Sequence, residues 1–120
     1  MKKLRVGIVG PCASGKSTLS AASELKDYDI RHIAQEHSYV PDMWKKISKP
    51  DVLIYLHVSY ALSVSRKKLD WTRKEYDEQI FRLRHARQHA DLNIDTDICS
   101  IDEVLNLVLE FLQSLSRNPG

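Results

Sequence analysis

Gly10-Pro11-Cys12-Ala13-Ser14-Gly15-Lys16-Ser17 is a complete G-x-x-x-x-G-K-[ST] sequence, and the strand-like run Leu4-Arg5-Val6-Gly7-Ile8-Val9 leads directly into it. A strand that enters such a loop, followed by a helix starting near Gly15, has the chemistry of a polyphosphate cradle. Backbone N–H groups must point inward at close range, and side chains at Gly10 and Gly15 are expected to obstruct them. Lys16 is placed to reach β and γ phosphates and Ser17 to set a hydroxyl on Mg2+. Thr18 adds a hydroxyl for the α phosphate, and the helix turns its positive end toward the same anion. Pro11, Cys12, Ala13 and Ser14 complete the candidate nucleotide-binding set. The four fixed positions arise by chance in roughly 0.5 % of chains this long, so the match is read as a nucleotide site.

The rest of the 120-residue chain suits a single domain spanning residues 1–120. No stretch approaches the apolar length of a membrane span. Met1-Lys2-Lys3-Leu4 runs straight into the first strand without a secretory pattern, so a cytoplasmic location is the expectation. Cys12 and Cys99 make neither a disulfide framework nor a zinc spacing, and Cys12 reads as a tolerated loop residue. The net charge of +2 is uneven: residues 66–90 carry eight basic side chains against four acidic ones. Such a segment can hold a polyanion or form a solvated helix face, and the modest net charge weighs against nucleic acid as the partner.

Hydrophobic patterning predicts a helix over residues 19–26 and a second strand over residues 30–35. A short helical piece over residues 43–47 should precede a third strand, over residues 51–58, whose unbroken apolar run suits burial on both faces. Ser59 can cap a helix reaching Leu69, with Ala61, Leu62 and Leu69 facing inward. Thr72-Arg73-Lys74-Glu75 is a capping box, opening a helix with Tyr76, Ile80, Leu83 and Arg87 on one face and Phe81 beside them. A fourth strand over residues 90–95 leads to a second capping box, Ser100-Ile101-Asp102-Glu103. The final helix carries the stripe Val104, Val108, Phe111, Leu112 and Leu115 and closes at Arg117-Asn118-Pro119-Gly120. This alternation predicts an α/β fold with a parallel sheet, whose ligand edge gathers the phosphate loop and the segments after the second and third strands.

Three stretches resemble the small P-loop kinases, the group that includes nucleoside, nucleoside-monophosphate, shikimate and gluconate kinases. They are residues 10–18; Pro50-Asp51-Val52-Leu53-Ile54-Tyr55-Leu56-His57-Val58 with Arg66 beyond it; and Ala90-Asp91-Leu92-Asn93-Ile94-Asp95-Thr96. The first is the specific one. The resemblance implies a three-layer P-loop NTPase fold, ATP or another nucleoside triphosphate with Mg2+, and phosphoryl transfer to a small acceptor. It implies lid arginines at Arg66 and Arg73, with Arg84 or Arg87 as further candidates, and a base bordered by residues 95–98, Asp95 and Thr96 first. The chain departs from the group between its second strand and Pro50, where about fifteen residues replace a strand and much of the acceptor region. Four strands in the order 2-1-3-4 are therefore expected.

Glu36 is then the acid placed to support Mg2+ with Ser17, or to accept the acceptor's proton. Lys16, Glu36, Arg66 and Arg73 form the candidate catalytic set. His37 reads as incidental and His57 as a packed neutral ring bonded to the backbone. Tyr39, Trp44 and Trp71 suit either ring stacking or core packing. His85 and His89 lack a third metal ligand at suitable spacing. Three activities compete: a compact kinase, a nucleotide-binding module without efficient transfer, and a nucleic-acid partner using the basic segment. No N-K-x-D pattern selects guanine, and the apolar last helix leaves a homodimer open.

Overall fold

A computed structural model describes residues 3–67 and 71–117. Lys68 and Leu69, and the proposed closing residues Asn118, Pro119 and Gly120, lie outside the described residues. Strands β1 (Arg5–Val9), β2 (Asp29–His32), β3 (Val52–His57) and β4 (Leu92–Asp95) form one sheet in the order β2-β1-β3-β4. Every pairing is parallel, with Val6 opposite both Ile30 and Val52, and Tyr55 opposite Asn93. This is the strand order expected from the shortened segment before Pro50.

The alternation of β3 explains why both faces of the sheet are covered. Val52, Ile54 and Leu56 join Val6, Ile8, Val104, Val108 and Leu112 in one cluster. Leu53 and Tyr55 point the other way, into a second cluster with Val9, Ile33, Trp44, Leu83 and Ala86. Helices α1 (Lys16–Ser20) and α5 (Ile101–Arg117) thus cover one face. Helices α3 (Arg73–Arg82) and α4 (Arg84–His89), with the helical turn Trp44–Ser48, cover the other. Helix α2 (Tyr60–Lys67) follows β3 and buries Ser63. Each fully buried Val, Leu or Ile contributes about 1.5–3 kcal/mol relative to exposure, so these two clusters supply the main driving force.

Both capping boxes form: Thr72 Oγ1 accepts from the Glu75 amide, and Ser100 Oγ accepts from the Glu103 amide, each at 3.2 Å. Several boundaries differ from the sequence expectation. The first helix stops at Ser20 and a separate 3-10 turn spans Ser23–Leu25, burying Leu25. β2 ends at His32, because Gln35 leaves the strand to spend its side-chain amide on Trp44, Val40 and Arg82. Ala61 is exposed, and Ser63 is the inward residue of α2. The helix from Thr72 breaks at Leu83; its inner face is Tyr76, Gln79, Leu83 and Ala86, with Phe81 and Arg87 outside. In α5, Val104, Val108 and Leu112 are buried but Leu115 is exposed.

β1 and β3 come so close at their carboxyl ends that a Cβ on Gly10 would lie 2.3 Å from the Leu56 carbonyl oxygen. At Gly15 a Cβ would meet nothing within 4 Å, and the requirement is conformational, with φ at +99°. What requires glycine at Gly10 is therefore the neighbouring strand's carbonyl, and at Gly15 a left-handed backbone. Gly10→Ala should lower the unfolding free energy by about 3 kcal/mol and Gly15→Ala by only about 1–2 kcal/mol, measured by urea denaturation.

Candidate functional site

The loop leaving β1 turns at Ala13 (φ +70°) and Gly15 (φ +99°) before entering α1. A non-glycine residue in the left-handed region costs of order 1–2 kcal/mol, so the surrounding contacts must hold Ala13 there. Gln79 supplies part of that hold from α3. Its Oε1 accepts the Cys12 amide at 2.9 Å, and its Nε2 donates to Cys12 Sγ at 3.2 Å. Arg66 acts from α2, with Nη1 donating to the Ala13 carbonyl at 3.2 Å and to Thr96 Oγ1 at 2.9 Å, and Nη2 donating to the Thr96 carbonyl. One guanidinium therefore ties the loop after β1 to the turn after β4.

Lys16 is 6 % exposed, and a buried ammonium requires partners. Its Nζ donates to Glu36 Oε2 at 2.7 Å and to the carbonyls of Gly10 and Pro11. Glu36 reaches it from the 3-10 turn Gln35–His37, immediately beyond β2. Gln35 pins that turn by accepting the Trp44 amide at 2.8 Å, and Arg82 donates to the Glu36 carbonyl at 3.3 Å. Glu36 is itself buried, and among the described residues its Oε1 has no hydrogen-bond partner; Ser14 Oγ is likewise buried and unpartnered there.

A cavity of about 740 Å3 opens over these groups. The loop from Cys12 to Thr18, with Glu36, His37 and Arg66, makes its polar side. Thr96, Cys99, Ile101, Val104 and Leu105 bound the other. Glu36 is the one acid lining it among the described residues. Helix α1 has only five residues, so its dipole adds little here. The charged groups that line the cavity among the described residues are Lys16 and Arg66 against Glu36.

Of the sequence-predicted residues, Cys12, Ala13, Ser14, Gly15, Lys16, Ser17, Thr18, Glu36, Arg66 and Thr96 all line this cavity. Gly10 and Pro11 contribute carbonyls to Lys16. Arg73 and Asp95 are placed elsewhere. Arg73 pairs with Asp77 on an exposed helix face, over the rings of Tyr60 and Tyr76. Asp95 is exposed and accepts the Asp97 amide. Arg84 lies over Phe81 and Arg87 over Tyr55. Trp44 and Trp71 are packing residues bonded to His85 and Ser63, and Tyr39 lies exposed under Arg82. His85 and His89 stack with Trp44. His57 Nδ1 is buried without the backbone bond expected of it. Tyr55 is not an acid at neutral pH, since burial pushes its hydroxyl up to about 12 against the pull of Arg87.

Gln79 and Gln35, which hold the loop and the Glu36 turn, were not singled out from sequence. Gln79 had a signal, three residues after Tyr76 and four before Leu83 on the inner face of α3; Gln35 had none. No protein-family model matches this chain, and no curated protein matches it.

Two measurements check this geometry. Glu36→Gln alone should lower stability by about 2–3 kcal/mol, since Lys16 keeps two carbonyls. Combined with Lys16→Met it should cost less than the sum, with a coupling of about 1–3 kcal/mol by denaturant titration. Additive losses would mean the pair is not formed. Asp97, whose Oδ1 accepts the Ser59 amide at 3.0 Å, joins the turns after β3 and β4. Partial burial pushes its carboxyl up, but the Ser59 amide and hydroxyl outweigh this and hold it below the ordinary 3.8. Its contribution is present above about pH 4 and is lost as pH falls through the depressed value. Asp97→Asn should flatten the acid limb of the stability profile.

Proposed function

We propose that this chain is a P-loop NTP-binding protein and a compact ATP-dependent kinase, transferring a phosphoryl group to a small metabolite or nucleoside-like acceptor. The observation that carries the reading is the buried Lys16 ammonium inside the residue 10–18 loop, paired with Glu36, the one acid lining the cavity among the described residues. The residues present fit MgATP. Ser17 and Thr18 line the cavity with the loop, Ser14 Oγ is a buried hydroxyl without a partner, and the volume lies within the roughly 300–1,000 Å3 of small-molecule sites. Mg2+ held by Ser17 would neutralise charge on the β and γ oxygens.

The chain's own residues then have separate tasks. Lys16 exchanges the Glu36 carboxylate for phosphate oxygens, keeping an anionic partner throughout. Glu36, released, becomes a carboxylate able to take the proton of the acceptor hydroxyl as that oxygen bonds to phosphorus and ADP departs. Arg66 adds a charge that never titrates away and keeps the loop and Thr96 in register. The larger apolar side of the cavity, at Ile101, Val104 and Leu105, suits the base.

A second reading, a binding module without efficient transfer, is favoured by Arg73, which faces away from the cavity and leaves Arg66 as its one lining arginine among the described residues. The nucleic-acid reading draws less support, because Arg73, Arg82, Arg84 and Arg87 are engaged with Asp77, Glu78 and aromatic rings. ADP formation from MgATP, with pooled nucleosides, sugars and hydroxy acids, separates the first two. A kinase shows acceptor-stimulated turnover that falls at least about 100-fold in Lys16→Ala. Nucleotide binding with no stimulation by any acceptor selects the module.

A further inference from the structure

Beside the Lys16 pair lies a second arrangement that nucleotide binding does not require. Cys12, Glu36 and His37 each offer one ligand atom, and these atoms all lie within 4.8 Å of one another. They meet because β1 and β2 are adjacent parallel strands, with Ile8 opposite His32, so the turns leaving their carboxyl ends face each other. We propose that Cys12 Sγ, a Glu36 carboxylate oxygen and the His37 imidazole form a site for a thiophilic divalent cation of the zinc type.

The chemistry of the donor set favours such an ion. A thiolate and a carboxylate direct two negative charges at the ion, the carboxylate being shared with the Lys16 ammonium, and the imidazole adds a neutral ligand. Mixed sulfur, nitrogen and oxygen donors suit zinc or cobalt, whereas Mg2+ takes oxygen ligands and keeps its water. Tetrahedral bonds of about 2.0–2.3 Å separate ligand atoms by roughly 3.3–3.7 Å. His37 Nε2 already stands 3.9 Å from Glu36 Oε2, and its exposed ring has room to close the remainder.

Two further observations point to a cation. Glu36 is 4 % exposed, its Oε2 stands between Lys16 and His37, and its Oε1 has no donor among the described residues, so the carboxylate keeps an oxygen whose need a metal would meet. Gln79 fixes Cys12 through both its amide and its sulfur, the kind of outer contact that orients a metal ligand. Three protein ligands leave a fourth position for water. Binding draws Glu36 from Lys16, whose ammonium keeps the Gly10 and Pro11 carbonyls.

The site shares Cys12 and Glu36 with the nucleotide reading, but its test contains no nucleotide, so the two readings fail separately. Co2+ titrated into the full chain reports sulfur ligation through a thiolate-to-cobalt absorption band in the near ultraviolet. The expected result is one Co2+ per chain, displaced by Zn2+ and unaffected by excess Mg2+. The band should persist in Cys99→Ser, vanish in Cys12→Ser, and require at least about 10-fold more cobalt in His37→Ala. Should Cys12→Ser misfold, alkylation of the unaltered chain decides the matter, with Zn2+ protecting Cys12 and leaving Cys99 reactive. A band that is absent, that survives Cys12→Ser in folded protein or that is lost in Cys99→Ser overturns the site, as does equal alkylation with and without Zn2+.

Discussion

A buried ammonium has to be answered by charge or by several carbonyls, and Lys16 is answered by both. Its ion pair with Glu36 joins the loop after β1 to the turn after β2, so the two segments that supply the charges on that side of the cavity are held in one unit. Such a pair adds little net stability over apolar packing, but removing either partner strands the other. What it contributes is placement. The carboxylate and the ammonium are kept together in the lining of the cavity, and the Gly10 and Pro11 carbonyls hold the ammonium beside them.

That placement depends on the sheet. With β1 between β2 and β3, the chain runs outward to β2 and then crosses back to the other side of β1, which opens a crevice at the carboxyl ends where the connections diverge. Gly10 stands in that crevice, where there is no space for a Cβ against Leu56. Helices α2 and α3 then brace the loop from outside, through Arg66 on Ala13 and Gln79 on Cys12. A basic side chain expected to act as a lid therefore does structural work as well, fastening the loop to Thr96.

The strand order and the loop were legible because each has a strong local signature: an apolar run in β3, a glycine-lysine loop after β1, and a segment too short for another strand before Pro50. Glu36 was legible by elimination, as the acid just past β2. Its pairing with Lys16 was not, since side-chain geometry across two neighbouring strand ends leaves no mark in spacing. The position of Arg73 outside the cavity lining was not legible for a related reason. Its helix begins at the expected capping box, but the direction of a side chain around that helix depends on how α3 packs, and Tyr76 and Gln79 take the inner face. Gln79 shows the converse, a polar residue at a buried position whose partner lies 67 residues away. The early end of α1 was hidden because Ala21, Ala22 and Leu25 are all sound helix formers, and only the return of the chain to β2 ends it.

The claim on which the rest turns is that Lys16 is held by Glu36 in readiness for a polyphosphate. Calorimetric titration of MgATP into the unaltered chain, Lys16→Ala and Glu36→Gln tests it most directly. One molecule should bind per chain, with affinity at least about 10-fold weaker in Lys16→Ala and equal or tighter in Glu36→Gln, where the competing carboxylate is gone. Absence of saturable binding, or equal affinity in the unaltered chain and Lys16→Ala, would contradict it.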